Sequence, residues 1–212
     1  MMQSVVIAED AQIIQSLLAL HRAGPRILDL TYGHGRFWAQ VSNTVGTGIV
    51  TGIDVRHPRD LEIPRLPAEH RLQASSTALP FRPGCFDAAV CDPPFLIFSS
   101  SQGIMGKRFT SPRSYTALLN MMEVTAVETH TVLTPRGLVI IKTMDATDGR
   151  RRRWFHSDVQ RLWESNGWRQ DDLIVKIGVT NVRNPGWKYQ ARSKSAHTFF
   201  LVFRKATHNR SC

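Results

Sequence analysis

The feature that most constrains the fold is a carboxylate and two prolines placed directly after an apolar run. Residues 86–91 have the composition of a buried β-strand, and Asp92, Pro93, Pro94 and Phe95 follow them. Proline lacks the N–H that a sheet ladder requires, so the strand must end at this point. The sequence therefore predicts a stiff turn at the carboxyl end of a strand, which is where open α/β sheets bind ligands.

The same turn predicts a binding place for a planar amino group. Asp92 and the carbonyl of Pro93 would be rigid hydrogen-bond acceptors that face a cleft, and Phe95 would offer a flat stacking surface beside them. Two acceptors and an aromatic face suit an –NH2 group on a ring. The alternative is an ordinary strand that ends in a Pro-Pro turn with a core phenylalanine.

An earlier apolar strand, residues 26–30, leads directly into a glycine turn. Gly33 and Gly35 would let backbone N–H groups come close to a ligand at the start of a helix. A further strand ends in Asp54, about twenty residues on, which is the spacing expected for a carboxylate on ribose hydroxyls. Trp38 stands where a dinucleotide fingerprint needs a small residue, so the pattern favours an adenosine-type cofactor without a pyrophosphate. Asp54 could instead be a helix cap or a loop acid.

In order and spacing these residues resemble the class I S-adenosylmethionine-dependent methyltransferases, from Asp29 and the glycines through Asp54 to Asp92. The Asp-Pro-Pro-Phe form is similar to the branch that methylates exocyclic amines of nucleobases in DNA or RNA. The resemblance covers about residues 7–205. It implies an α/β fold, with a doubly wound, mostly parallel seven-stranded sheet and an antiparallel last strand. It also implies S-adenosylmethionine as the cofactor.

The resemblance also implies roles for individual residues. The glycine turn, with Asp29 and Thr31, would hold the methionine part of the cofactor, and Asp54 would hold the ribose. Many relatives carry an acid beside the adenine, whereas this chain has Ala74 and Ser75, so backbone atoms or Ser75 would have to contact that ring. The residues implied to be catalytic are Asp92, Pro93, Pro94 and Phe95.

The charge of the chain favours a polyanionic partner. The net charge is +10, and 21 of the 27 basic residues are arginines, whose forks bind phosphate and stack on bases. A genome rich in G and C also enriches arginine, but here basic residues cluster beside aromatic ones, and we expect the clusters at one rim of the sheet. The residues predicted to bind substrate are Lys107, Arg108, Arg113, Arg151, Arg152, Arg192 and His197. His197 could equally be a core histidine.

Length and composition predict one domain over residues 1–212, with residues 96–113 and 183–194 as candidate substrate-recognition loops. Asp10 and Ser157 are predicted to cap helices. The three cysteines and eight histidines lack metal-ligand spacing, so we expect no metal site. Without an apolar run of about 18 residues or the pattern of a signal peptide, the sequence predicts a cytoplasmic protein with no membrane segment.

Three functions remain open at this point. The first is a methyltransferase for nucleobase amines, with DNA adenine slightly favoured over ribosomal or transfer RNA. The second is a methyltransferase for a protein side-chain amide or a small molecule, where a similar Pro-Pro turn occurs. The third is a non-catalytic nucleic-acid-binding module. The net charge favours nucleic acid as the partner. The sequence does not indicate an oligomeric state.

Overall fold

A computed structural model describes residues 2–38, 48–56, 70–94, 112, 114–148, 151–178 and 196–206 of the chain. The described helices are α1 (Asp10–Leu20), α2 (Tyr115–Val132) and α3 (Phe155–Ser165), with a short 3-10 helix at Arg36–Trp38. The strands of the main sheet are β1 (Val5–Val6), β2 (Ile27–Asp29), β3 (Val50–Asp54), β4 (Arg71–Gln73), β5 (Phe86–Cys91), β6 (Leu133–Thr143), β9 (Trp168–Ile177) and β10 (His197–Lys205). A separate hairpin consists of β7 (Ala146–Asp148) and β8 (Arg151–Arg153).

The main sheet has the strand order β1-β9-β10-β6-β5-β2-β3-β4 within the described residues. Strands β4, β3, β2, β5 and β6 are parallel neighbours, and β10 runs antiparallel to both β6 and β9. This arrangement confirms the predicted fold class, a mostly parallel sheet with an antiparallel last strand. The sheet contains one strand more than the seven predicted, because the two-residue strand β1 pairs with β9 at one edge.

Helices cover both faces of the sheet, and each face has its own apolar cluster. Helix α1 packs on one face, and helices α2 and α3 pack on the other. Successive side chains of a strand point to opposite faces, so Leu138 and Ile140 join the α1 cluster whereas Val139 and Ile141 join the other. The same alternation places Lys142, the next residue of β6, on the face that carries α1.

Two helix starts differ from the predicted ones. Asp10 is the first residue of α1 rather than its cap, because Glu9 and Gln12 form a reciprocal capping box one position earlier. Helix α3 begins before Ser157, at Phe155, whose ring is completely buried. The N-cap residue Trp154 makes no side-chain cap, and Asp145 Oδ1 instead accepts from the His156 backbone N–H in the first turn of α3. No described helix is long and apolar enough to cross a membrane.

The carboxyl ends of β2, β3, β5 and β6 meet at one edge of the sheet. Parallel pairing sets Asp29 of β2 beside Gly52 on one side and Val90 on the other, and it sets Cys91 beside Ile141. The polar residues at the ends of these strands therefore become neighbours, although they are far apart in sequence. This edge carries the candidate site.

Candidate active site

A pocket of about 690 Å³ opens at the carboxyl edge of the sheet. Its volume lies within the range of small-molecule and cofactor sites. Its polar lining comes from the ends of β3 and β6, from the residues after β2, β3, β4 and β5, and from helices α1 and α2. The pocket contains the acidic residues Asp10, Asp54 and Asp92 and the basic residues Arg36, Arg56 and Lys142.

The glycine turn after β2 requires both of its glycines. Gly33 and Gly35 have φ angles of +54° and +65°, in the left-handed region that side chains disfavour. A Cβ atom on Gly35 would lie 2.6 Å from the hydroxyl oxygen of Tyr32, and one on Gly52 would lie 2.6 Å from the ring of the same tyrosine. Tyr32 is buried, so its ring fills the space that these two glycines leave between the turn and β3.

Asp29 lies beneath this turn and does not line the pocket. One carboxylate oxygen accepts a hydrogen bond from the Thr31 backbone N–H at 3.0 Å, and the other accepts one from Trp38 Nε1 at 2.6 Å. Burial raises the pKa of Asp29 to about 7, although the bonds from Trp38 and Thr31 oppose that shift. In this structure Asp29 holds the turn in place, and a direct contact with the cofactor stays a prediction.

Asp54 lines the pocket, but its carboxylate is already fully hydrogen-bonded. Oδ1 accepts from the backbone N and the Nε of Arg56, at 2.8 and 2.9 Å, and Oδ2 accepts from Arg56 Nη2 and Gly33 N, at 2.9 and 3.0 Å. Burial raises the pKa of Asp54, but these bonds outweigh it and lower the pKa below its ordinary value. Four donors use the lone pairs of both oxygens, so a ribose hydroxyl could bond to Asp54 only after one donor leaves.

Asp92 differs from the other two carboxylates because one of its oxygens has no partner. Its backbone N–H donates to Thr31 Oγ1 at 2.6 Å, and Oδ2 accepts from Lys142 Nζ at 3.1 Å. Oδ1 is buried without a hydrogen bond from any described residue, an arrangement that costs free energy until a donor arrives. Burial raises the pKa of Asp92, although the nearby Lys142 ammonium opposes the shift. Pro93 and Pro94 line the pocket beside it.

Lys142 and Asp10 belong to the site, although sequence reasoning did not select them. Lys142 Nζ lies 2.9 Å from Asp10 Oδ2 as well as 3.1 Å from Asp92, and Asp10 Oδ1 accepts from Lys176 Nζ. Burial lowers the pKa of Lys142, but the two carboxylates outweigh it and raise the pKa above its ordinary value. The available signal was a lone lysine that follows the apolar run of β6.

The turn after β4 supplies another wall of the pocket. Ala74 and Ser75 line it, but their polar groups are engaged: Ala74 N–H donates to the Asp54 carbonyl, and Ser75 Oγ bonds to Thr77 Oγ1 at 2.7 Å. Their predicted contacts with adenine stay predictions. Helix α2 contributes three lining residues that sequence reasoning missed, and these are Met121, Met122 and Thr125.

A basic and aromatic surface lies further along the rim. The guanidinium of Arg152 is 5.8 Å from the ring centroid of Trp154, a residue that is 56% exposed, and that of Arg153 is 4.9 Å from the ring centroid of Tyr115. We call Trp154 and the arginines of β8 the rim surface. It consists of one strand of the β7–β8 hairpin and the residue that follows that strand.

A row of rings connects the rim surface to the end of the sheet. His156 donates through Nδ1 to Asp145 Oδ1 at 2.7 Å, and its ring stacks on Phe199, with centroids 4.0 Å apart. His197 meets the edge of Phe199 at 4.9 Å. Phe199 pairs with Thr143 across the sheet, one residue beyond Lys142.

The structure brings together some of the predicted site residues and not others. The predicted residues that line the pocket are Thr31, Gly33, Asp54, Ala74, Ser75, Asp92, Pro93 and Pro94. The described residues that do not line it are Asp29, Gly35, Arg151, Arg152 and His197. Outside the described residues lie Phe95, Lys107, Arg108, Arg113 and Arg192, as do both predicted recognition loops apart from residue 112. Within the described part of the chain, no group of three or more His, Cys, Asp or Glu residues could hold a metal ion.

No protein-family model and no curated protein matches the chain, but solved structures do. One match is 1,6-didemethyltoxoflavin-N1-methyltransferase from Burkholderia thailandensis, with bound 1,6-didemethyltoxoflavin and S-adenosylhomocysteine. Its TM-score is 0.57 at 15% identity, over 93% of this chain and 79% of that one. TrmN from Thermus thermophilus matches with a TM-score of 0.55 at 19% identity, over 92% and 48% of the two chains.

A candidate DNA modification methylase, also from Thermus thermophilus, matches less well, with a TM-score of 0.45 at 20% identity over 63% of this chain and 50% of that one. The chain thus spans about half the length of both Thermus proteins. At these identities the likeness shows the fold: the chain has the Rossmann-like fold of S-adenosylmethionine-dependent methyltransferases, as predicted. In the Burkholderia protein this fold binds the demethylated form of the predicted cofactor.

We expect Gly35→Ala to destabilise the protein more than Gly84→Ala. The two glycines have φ angles of +65° and +67°, so an alanine at either place costs about 1 kcal/mol or more of backbone strain. Only at Gly35 would the added methyl group also overlap the Tyr32 ring, and such overpacking costs roughly 1–3 kcal/mol. Urea unfolding of both variants measures the difference, and equal losses would contradict the contact.

We also expect the stability that Asp29 contributes to depend on pH. The pKa of Asp29 is about 7 in the folded protein and about 3.9 in an unfolded chain, so the folded state holds the proton more tightly. The stabilising contribution of protonated Asp29 is therefore complete below about pH 4 and is lost as the pH rises through 7. The free energy of unfolding of the wild type minus that of Asp29→Asn should fall between pH 4 and 8. A difference that is flat across this range would show that the folded carboxyl titrates normally.

Proposed function

We propose that this protein is an S-adenosylmethionine-dependent methyltransferase that acts on an exocyclic amino group of a nucleobase in nucleic acid. The observation that carries the proposal is the buried Oδ1 atom of Asp92, which has no partner among the described residues. Asp92 lines the pocket at the end of β5, and Pro93 and Pro94 line it next to that carboxylate. A carboxylate that lines a cofactor-sized pocket and still has one oxygen without a donor suits the N–H of an amine.

The pocket residues fit the proposed cofactor. The left-handed glycine turn lets backbone atoms approach the methionine part, with the Thr31 side chain beside it. The ribose would replace a bond between Asp54 and Arg56, and the adenine would lie against Ala74 and Ser75. When bound, the cofactor supplies a methyl group that its sulfonium has already activated.

The residues of the chain then act on the amine. The lone pair of an aromatic amine is delocalised into its ring, so the nitrogen is a poor nucleophile. Asp92 Oδ1 and the Pro93 carbonyl would accept hydrogen bonds from the two amine hydrogens as positive charge develops on the nitrogen. The fixed φ angles of Pro93 and Pro94 hold these acceptors in place without reorganisation. Phe95 would stack on the base, which must be flipped out or single-stranded to enter.

The rim surface supports a polymeric substrate. Exposed tryptophans are stacking platforms for bases, and arginine forks bind phosphates. Trp154 is 56% exposed and adjoins Arg151, Arg152 and Arg153, in a chain with a net charge of +10. Within this proposal DNA adenine is the first candidate, and ribosomal or transfer RNA is the second.

A small-molecule amine is the second candidate substrate. The Burkholderia protein, which covers most of this chain, has a heterocyclic small molecule in the same fold. In addition, Arg151, Arg152 and His197 do not line the pocket, so nothing in the described lining requires a polymer. The two candidates differ in whether the rim surface contributes to substrate binding.

The central test is transfer of a tritiated methyl group to DNA, ribosomal RNA, transfer RNA and free nucleosides, followed by mass spectrometry of the nucleosides. We expect methylation of a base amine in a polymer. Asp92→Asn should lower kcat by roughly 10²–10³, since one charged acceptor of the transition state is lost. Cofactor affinity, measured by calorimetry, should stay within a few fold.

The matched control is Asp87→Asn on the same strand, because Asp87 pairs with Arg26 at the opposite end of β5 and lies outside the pocket. This variant should keep the activity of the wild type. Near-normal turnover by Asp92→Asn would contradict the assigned role of Asp92. Transfer to nucleosides alone would favour the small-molecule candidate.

We expect Trp154→Ala to weaken binding of single-stranded oligonucleotides by about 5- to 150-fold, which corresponds to a stacking contribution of roughly 1–3 kcal/mol. Trp154→Phe should retain most of the affinity because it keeps a ring. Arg151→Ser should reduce the dependence of binding on salt, since each neutralised phosphate releases counterions. Fluorescence anisotropy at several salt concentrations measures both effects.

Arg161→Ser is the charge-matched control for Arg151→Ser. Its side chain is 72% exposed on α3, and it pairs with Asp158 rather than joining the rim surface. If Arg161→Ser and Arg151→Ser change the salt dependence equally, the effect is one of net charge and not of the rim surface.

A further inference from the structure

We propose that Lys142 and Asp10 are positioning residues for Asp92. Lys142 binds Asp92 Oδ2 and so holds the carboxylate in the orientation in which Oδ1 has no partner, while Asp10 competes with Asp92 for the same ammonium. This inference rests on the proposed function, because it assigns Asp92 the role given there.

The contacts form a chain of alternating charges. Lys176 Nζ binds one oxygen of Asp10, Lys142 Nζ lies 2.9 Å from the other, and the same Nζ lies 3.1 Å from Asp92 Oδ2. The side chain of Lys142 is only 14% exposed, and its ammonium also lies 5.7 Å from the ring centroid of Phe37. An ammonium with these neighbours has little room to move, so it fixes which oxygen of Asp92 is taken.

The ion pairs among Lys176, Asp10, Lys142 and Asp92 also determine how strongly the negative charge of Asp92 is neutralised before the amine binds. A lone Lys142 beside Asp92 would neutralise the carboxylate that is meant to stabilise positive charge on the amine. Asp10 competes for the same ammonium from the first residue of α1 and weakens that neutralisation. Without Lys142, in contrast, a partly buried Asp92 would take up a proton and lose its role as an acceptor.

The two residues should therefore affect Asp92 in opposite directions. The described titratable groups that act on Asp92 are Lys142 from β6, Asp10 from α1, Asp29 from β2 and the neighbouring Cys91. Removing the cation by Lys142→Met should raise the pKa of Asp92, by about one unit or more. Removing the anion by Asp10→Asn should lower it, because Asp10 acts to raise that pKa.

The test is an NMR titration of cofactor-free protein labelled with ¹³C at the aspartate carboxyl carbons, with the Asp92 signal assigned by its loss in Asp92→Asn. The control is Lys205→Met, which also removes one positive charge. Lys205 is the last residue of β10, whereas Lys142 pairs with Phe200 near the start of that strand, and the Nζ of Lys205 donates to the His130 carbonyl instead of to a carboxylate. We expect an upward shift for Lys142→Met, a downward shift for Asp10→Asn and no shift for the control. Equal titrations, or shifts in the same direction for both variants, would overturn the proposal.

If Lys142→Met does not fold, the Asp10→Asn variant is sufficient to test the proposal. A pKa of Asp92 that is unchanged or higher in that variant would overturn it. In active enzyme the acidic limb of the pH–kcat profile should move in the same two directions. If the wild type methylates no nucleic acid but the NMR shifts occur, the charge chain stands and the proposed substrate fails. If the wild type methylates a base but the pKa of Asp92 is the same in both variants as in the wild type, the proposed function is supported and this inference is wrong.

Discussion

The parallel pairing of β2, β3, β5 and β6 is the constraint on which the whole site depends. Parallel strands end at the same edge, so the acids at their ends become neighbours: Asp54 and Asp92 line the pocket, and Asp29 lies beneath the glycine turn. Carboxylates gathered in this way repel one another and lose solvation, and each therefore needs its own donor. The structure supplies an indole for Asp29, a guanidinium for Asp54 and an ammonium for Asp92.

The three carboxylates differ in how many of their oxygens already accept hydrogen bonds. This difference separates structural roles from a chemical one. Both oxygens of Asp29 are used by the glycine turn, and all lone pairs of Asp54 are taken by Arg56 and Gly33. Of these three carboxylates, only Asp92 keeps an oxygen without a partner among the described residues. Two carboxylates thus hold the glycine turn in place, and the third keeps an acceptor for the proposed substrate.

The features that define the fold and those that support the proposed substrate lie in different parts of the molecule. The fold matches that of a Burkholderia methyltransferase solved with a bound heterocyclic small molecule, so the fold alone does not distinguish a nucleotide in a polymer from a free molecule. The distinction depends on the rim surface. There the exposed residues Trp154 and Arg151 stand outside the pocket, where the proposed polymer would reach them but a small ligand held inside the pocket would not.

The sequence by itself determined the features that act over a few residues. The prolines end β5 at Asp92, the glycines make the turn after β2, and apolar runs mark the strands, because these effects need only neighbouring residues. The tertiary structure alone decided that Lys142 meets Asp92, 50 residues away, and that Lys176 meets Asp10, 166 residues away. Such contacts depend on strand register and on the face to which each side chain points, and neither is set by local sequence.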